Sequence, residues 1–564
     1  MTPKEFVVAY QKHGSVKAVM RNKGLTWHGA RKLYVTAVRE GLMSKQPVGR
    51  KNKEQSKTPE PVIEGQVKAR PTRVLPIPEK GTVNRYLFTC AQNQTKLFTP
   101  WWKNLLVLAN HYNAEVHVSR FTYVKSGLGA RGDKAQVTKK EDLYGGRELV
   151  WEKELTPYLS DDRIEVAPGL VWCGEMNILP TATRPLSGLE SYTGRKSSIF
   201  PHVKLAMESI PSGRNEGTKF TYTTGAVTMR NYIQRKAGLK AEFHHCYGAL
   251  LVEVDSDGDW FCRQINADSE GTIYDLDIRV HNSHLTKGNR VEGITWGDIH
   301  TDEMTPNIAR LAWGIVGPGE MAFDRSMIDV LRPKYQFMHD VITFMGPSHH
   351  VLKDPYTRFR RKVSGHMDVR AELQRGAIFL TAATRPWCKT VCVDSNHHHH
   401  IGRWLKEQDG RYDPANVEFW IDMQKRAYEF MRETGGEPNY LLEGMKLAGF
   451  PNIDKSIRFL EEDESFILCP DANGGVECGA HGDLGPNGSR GSTRAFTRMG
   501  RKMNKGHDHI AAIMDGVYSA ATSATLTPDW SRGPGSWSNS AILTYKNAKR
   551  AIVTAWNSKW RAEG

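Results

Sequence analysis

The residues with the clearest chemical content lie beyond Gly293. Ile294-Thr295-Trp296 reads as a short strand, and it ends in Gly297-Asp298-Ile299-His300. A carboxylate and an imidazole two positions apart at a strand end, with a glycine before them, can both turn onto one metal ion. The same event recurs along the chain. Tyr335-Gln336-Phe337-Met338 leads into His339-Asp340, and Thr390-Val391-Cys392-Val393 leads into Asp394-Ser395-Asn396-His397. Phe466-Ile467-Leu468 opens a segment that reaches Gly479-Ala480-His481-Gly482-Asp483, and Lys505-Gly506-His507-Asp508-His509 follows. Strand ends that each deliver Asp, Asn or His suit a metal cluster at one edge of a sheet. Every candidate ligand offers oxygen or nitrogen and none a thiolate, which favours Mn²⁺, Fe or Zn²⁺ over a thiolate-rich structural zinc site. The run His397–His400 is internal and follows a strand, so it reads as part of this set. The pairs His244-His245 and His349-His350 read as surface or hydrogen-bonded histidines.

The order Asp298-Ile299-His300, His339-Asp340, Ser395-Asn396-His397-His398, His481-Gly482 and Gly506-His507-Asp508-His509 resembles the calcineurin-like metallophosphoesterases over about residues 290–525. Two positions depart from that family's pattern. His339 stands where a glycine is usual before the aspartate. Ser395 stands where a glycine is usual before the asparagine, with His398 in the place of an acid. The resemblance implies two divalent ions, manganese first and iron or zinc next. Asp298, His300, Asp340 and His509 would hold one, and Asp340, Asn396, His481 and His507 the other, with Asp340 bridging. A carboxylate between cations ~3.5–4 Å apart lets both share one hydroxide, which attacks phosphorus in line. The resemblance makes His397 the general acid for the leaving oxygen and places Asp302 behind a ligand, orienting it.

The elements that would position these residues follow an α/β pattern. Strands are expected at Tyr86–Thr89, Ala114–Val118, Gly169–Cys173, Gly248–Val254 and Ile273–Val280, with an amphipathic helix from Trp101 to Tyr112. The fold class expected is α/β: a metallophosphoesterase-type sandwich over 291–564, with an additional α/β domain of unassigned role over 81–290. Ahead of them, 44–80 is polar and Pro-rich and reads as a linker. Residues 1–43 read as a small helix-turn-helix-like unit. Thr2, Ser15 and Thr26 start helices and Gly24 breaks one, and the third helix carries Trp27, His28, Arg31 and Lys32 as candidate DNA contacts. Arg131-Gly132-Asp133 reads as a turn.

Charge supports the expectation of DNA contact by the first segment. The net charge is +15, and residues 1–53 carry 12 Lys/Arg against Glu5 and Glu40 alone, so +10 sits in this short segment. A basic appendage on a nearly balanced body points to an acidic partner. Eight cysteines scattered over 564 residues make no disulfide framework, and Cys388 with Cys392 reads as a pair of structural thiols. No apolar run is long enough to span a membrane and no leader is evident, so the cytoplasm is the expected place, a bacterial host's if the chain is phage-encoded. The sequence leaves room for a homo-oligomer. The metallophosphoesterase pattern itself leaves the phosphoester open. The basic arm favours DNA, hence a DNase. A nucleotide or phosphoprotein phosphatase and a non-catalytic DNA-binding regulator are the other readings. The overall layout, with phrases such as Gly297–Met304 and Asn396–Leu405, also resembles the pre-early host-DNA-degrading proteins of T-five-like bacteriophages.

Overall fold

Four short strands run parallel at the heart of the C-terminal half: Ile457–Phe459, Lys389–Cys392, Tyr335–Met338 and Gly293–Thr295, in that spatial order. Asn539–Thr544 and Arg550–Ala555 extend the sheet antiparallel on the far side of Gly293–Thr295. Parallel strands are covered on both faces, and Ile294, Phe337, Met338 and Val391 are accordingly buried. The computed structural model describes residues 1–44, 72–123 and 150–563, apart from 215, 318–319, 322–324, 347, 349–350, 352 and 529–530. Most of the expected linker, the Arg131-Gly132-Asp133 triplet and the pair His349-His350 therefore lie outside the described residues.

A second sheet of eleven strands lies against the first. It begins at Arg73–Val74 and continues through Arg163–Ala167, Leu170–Cys173, Ser197–Phe200, Lys219–Thr223 and Met207–Ile210. It then passes to Ala512–Met514, Val517–Ser519, Met503–Lys505, Val476–Glu477 and Ile467–Leu468. The join is the antiparallel pairing of Met207 with Ile513. Residues 70–564 form one compact unit, and the boundary expected at 290 falls inside it, crossed by this sheet. Polar side chains stitch the two sheets together. Asn504 Nδ2 donates to Thr295 Oγ1 at 3.1 Å and to Thr544 Oγ1 at 3.0 Å. The buried Arg550 guanidinium donates to the Met503 and Gly516 carbonyls at 2.8 and 2.7 Å. Such buried groups are tolerated because each finds partners.

The strands expected at 86–89, 114–118 and 248–254 lie within Val83–Gln92, Glu115–Phe121 and Gly248–Asp255, which join Trp260–Asn266 in a four-stranded sheet. The helix Thr99–Tyr112 covers it, burying Trp101, Trp102, Leu105 and Leu108. Ile273–Val280, expected as one strand, is instead a tight hairpin in which Asp275 pairs with Ile278. Leu276 takes φ +50° at the turn. A β-branched-poor pair, Leu276-Asp277, carries none of the glycine or asparagine that signals such a turn. Asp275, the last residue before the turn, is held by the buried Arg263, whose Nε and Nη2 lie 2.8 and 2.9 Å from its carboxylate.

Residues 1–69 form the other compact unit. Its three helices, Pro3–His13, Val16–Lys23 and Trp27–Arg39, start where the capping residues predict. Thr2 and Glu5 form a reciprocal capping box, Ser15 accepts from Ala18 N–H and Thr26 from Gly29 N–H. Gly24 ends the second helix at φ +60°, a conformation that favours glycine. Phe6, Ala9, Val19 and Ala30 make its core. All eight cysteines are free, Cys388 and Cys392 buried among them. Among the described residues no helix is long and apolar enough to cross a membrane.

His245 offers a test of this packing. It is buried, its Nε2 donates to the Thr228 carbonyl at 3.0 Å, and its Nδ1 accepts from the Tyr232 hydroxyl at 2.7 Å. Burial first, and the Arg230 charge second, push it down to about 3. The unfolded chain takes up that proton near pH 6.5, so folding stability is lost as pH falls from there toward the folded value. Replacing His245 by the non-titrating Gln should remove about 2–3 kcal/mol of the loss between pH 6.5 and 4.5. Urea midpoints measured across that range would check it, and parallel curves for the two proteins would refute it.

Candidate metal centre

Three of the four parallel strands deliver a polar residue at the same edge. Asp298 follows Gly293–Thr295, Asp340 follows Tyr335–Met338, and Asn396 opens the helix Asn396–Glu407 after Lys389–Cys392. His481 follows Val476–Glu477, while His507 and His509 follow Met503–Lys505 of the eleven-stranded sheet. The two sheets therefore bring these ends to one place. Asp298, His300, Asp340 and His509 are all buried, and one ligand atom from each lies within 4.8 Å of the others, so this group could hold a divalent metal ion. His300 Nε2 and His509 Nε2 face each other at 3.2 Å, and His509 Nε2 is 2.9 Å from Asp298 Oδ2.

Asp340 also faces the remaining expected ligands. His481 Nε2 lies 3.3 Å from Asp340 Oδ2 and 3.0 Å from Asn396 Oδ1. The His507 ring stands edge-on to that of His481, centroids 5.3 Å apart. Asp340 Oδ1 is buried and accepts no hydrogen bond. A buried carboxylate oxygen left so is costly, and a cation beside it would remove the cost. The all-nitrogen-and-oxygen donor set fits that role.

Electrostatics agree with the geometry. Burial works to raise the carboxyls of Asp298 and Asp340, but the histidines around them together outweigh it and hold both below the ordinary range: His481 and His509 for Asp298, and His481, His397 and His300 for Asp340. Burial opposes charge on His481, yet Asp340 and Asp298 raise it to about 9. Burial and the neighbouring His397 push His300 down to about 3, which keeps its ring neutral and a lone pair on one nitrogen. The two carboxylates thus make a place where positive charge is favoured, whether as a proton or as a metal ion.

The backbone is bent to build this place. His300, Asp340, His507 and His509 have φ of 45°, 43°, 71° and 55°. Each such residue costs about 1–3 kcal/mol and persists where its surroundings dictate it. Here those surroundings are visible: His507 N–H donates to Asp298 Oδ2 at 2.9 Å, and His300 N–H to the Asp340 carbonyl at 2.8 Å. Gly506 allows the approach, because a Cβ there would collide with Asp298 Oδ1 and stand 3.2 Å from His339 Cγ.

The four-histidine run divides its labour. His397 Nδ1–H donates to the Thr343 carbonyl at 2.8 Å, which leaves Nε2 to accept or carry a proton, and its ring meets that of His300 at 4.7 Å. His398 Nε2 accepts from Val341 N–H at 3.0 Å and so ties this helix to the segment leaving Asp340. His399 Nε2 holds Asp394 at 2.6 Å, and the ring of His400 packs 5.0 Å from that of His397. Asp302 gives both carboxylate oxygens to Arg375, at 2.5 and 2.7 Å, so it anchors the turn after His300 to the helix Val369–Ala383.

The motif reading overlooked three contributors. His339 is fully buried with Nδ1 3.3 Å from His481 Nδ1; it stood out in the sequence only as a departure from glycine. His398 stood out only as part of the run and as a departure from an acid. Trp537 packs edge-on to His509 at 4.4 Å, and the strands before residue 290 brace it. Ser212 and Gly535 exchange two backbone hydrogen bonds of 3.0 and 3.1 Å, and Thr218 Oγ1 donates to the Trp537 carbonyl. The candidate DNA contacts Trp27, His28, Arg31 and Lys32 lie apart from this centre in sequence, and all are exposed in the first turns of the third helix.

No protein-family model and no solved structure matches this chain. Protein A1 of Escherichia phage T5 is 33% identical to it over 489 residues, which are 85% of this chain and 83% of that protein.

Gly506 isolates the geometry from the ligands themselves. Gly506→Ala removes no donor but forces Asp298 aside, so Mn²⁺ affinity should fall by about tenfold or more while far-ultraviolet dichroism stays native. Titration calorimetry would read the change. Native Mn²⁺ affinity in the alanine variant would mean that Asp298 is not held as a ligand by this contact.

Proposed function

The chain belongs to the family of Protein A1 of Escherichia phage T5, and from that premise we propose that it is a two-metal-dependent phosphodiesterase that hydrolyses DNA in the cytoplasm of a bacterial host. The observation that carries this reading is the meeting of two ligand sets at one carboxylate. Asp298, His300, Asp340 and His509 form one set, and Asp340 faces Asn396 and His481, with His507 alongside, in the other. The oxygen and nitrogen donors suit manganese, iron or zinc, and the metallophosphoesterase resemblance puts manganese first. Bound there, such ions supply Lewis acidity toward a phosphoryl group and a nucleophilic water at neutral pH.

The chain's own residues supply the rest. His397 is fixed through Nδ1 on Thr343, so Nε2 is the atom that hands a proton to the leaving oxygen. Arg375 and Asp302 hold the turn that presents His300. The N-terminal helices are read as a helix-turn-helix-like DNA-binding arm, with Trp27, His28, Arg31 and Lys32 toward the groove. Its charge of +10 over residues 1–53 supplies the sequence-independent part of DNA affinity.

Asp340→Asn should abolish most Mn²⁺-dependent cleavage of plasmid DNA and lower the bound metal. His397→Ala should keep its metal and slow cleavage by roughly 10²–10⁴-fold. Metal analysis run beside plasmid cleavage, with and without chelator, separates the two roles. Normal turnover by Asp340→Asn with full metal content would sink the assignment, and phosphate release from mononucleotides without plasmid cleavage would redirect it to a nucleotide phosphatase.

A chain beginning at Arg70 should still hydrolyse bis-p-nitrophenyl phosphate, because every proposed ligand lies beyond residue 290. It should bind duplex DNA more weakly and with a flatter salt dependence, since fewer phosphate counterions are released. Arg31→Ala with Lys32→Ala should give part of that loss. Equal affinity and equal salt slope for the full and shortened chains would take DNA binding away from the arm.

A further inference from the structure

The segment that leaves Asp340 ends in a helix of inverted polarity, Pro355–Val363. Asp354 caps it by accepting from Tyr356 and Thr357 N–H at 3.1 and 3.0 Å. None of its residues is buried. Surface helices ordinarily turn apolar residues inward and charges to water. Here Arg358 and Arg361 are half-buried, and Arg361 donates to the Met345 carbonyl. The outward face carries Tyr356, Phe359 and Val363, 87%, 66% and 74% exposed. Their spacing of three and four puts them in one stripe. Arg360 flanks the stripe on one side and Lys362 on the other, both exposed. Residues 353–362 hold five cations against Asp354, a net +4.

The helix is tied to the segment that leaves the candidate metal centre. Met345, which Arg361 holds, lies five residues beyond Asp340, and the Thr343 carbonyl of the same segment takes the His397 proton donor. We propose that the helix face is a docking platform for an unpaired nucleic-acid strand, with bases stacked on Tyr356 and Phe359 and phosphates drawn to Arg360 and Lys362. Rings flanked by cations are the combination that binds single strands with little regard to sequence, because every base has a stacking face. A duplex keeps those faces in its own stack and offers only phosphates. The inference rests on the reading of DNA as substrate and adds that the strand led to the metals is unpaired.

The test uses the full chain in chelator, so that no strand is cut, and fluorescence anisotropy with a labelled oligothymidylate and with a duplex of equal length. Tyr356→Ala with Phe359→Ala should weaken oligothymidylate binding by at least about tenfold and leave duplex binding little changed. Arg360→Gln with Lys362→Gln should flatten the salt dependence of oligothymidylate binding. Both pairs should hydrolyse bis-p-nitrophenyl phosphate in Mn²⁺ as the parent does. Unchanged oligothymidylate affinity in the aromatic pair overturns the proposal. So does a loss of self-association in sedimentation with that affinity intact, which would make the face a contact between copies of this chain. A parent chain that cleaves no DNA while the aromatic pair still loses oligothymidylate would sink the catalytic reading and leave the platform standing.

Discussion

Burying two carboxylates side by side is expensive, several kcal/mol for each ion even after relaxation, and Asp298 with Asp340 does this at the mouth of a parallel sheet. Much of the C-terminal half can be understood as the compensation. Imidazoles from five different segments face the pair, a backbone N–H and a histidine hold Asp298, and His481 lies between the two acids. Four residues accept left-handed backbone conformations to be there. What remains uncompensated is Asp340 Oδ1, and that residue is the one both proposed ligand sets need.

The sheet shared across residue 290 gives the first half of the chain a physical part in this. Met207 pairs with Ile513, close after His507 and His509, and the 212–218 segment braces the loop that sets Trp537 against His509. The segment 81–290 therefore holds one wall of the centre although it contributes no proposed ligand.

How much of this could be read from sequence depended on range. The helix starts at Thr2, Ser15 and Thr26 were legible because capping is a contact between residues three apart. The clustering of Asp298, His300, Asp340 and His509 could be anticipated because strand ends at one sheet edge bring the residues that follow them together, and Asp298 and Asp340 each come within three residues of a strand end. The hairpin at Leu276-Asp277 was not, since the turn lacks glycine or asparagine and its visible anchor is Arg263, which holds Asp275 from a neighbouring strand. The continuity of the eleven-stranded sheet was illegible for the same reason at greater distance: no local pattern records that Met207 and Ile513 are neighbours. His339 was visible as a residue out of pattern, and its burial beside His481 could only be seen in three dimensions.

That distant pairing also governs when the molecule becomes itself. Strands about 300 residues apart must meet before the sheet closes, and such non-local pairing is slow because the loop must be ordered before the contact rewards it. During synthesis the first nine-tenths of the chain waits with an open strand edge at Met207–Ile210, the kind of edge that invites pairing with other chains. The same late segment carries His507 and His509 to Asp298. A nascent or truncated chain thus has the carboxylates but lacks two of the imidazoles around them, and the centre can be completed only with nearly the whole polypeptide already made.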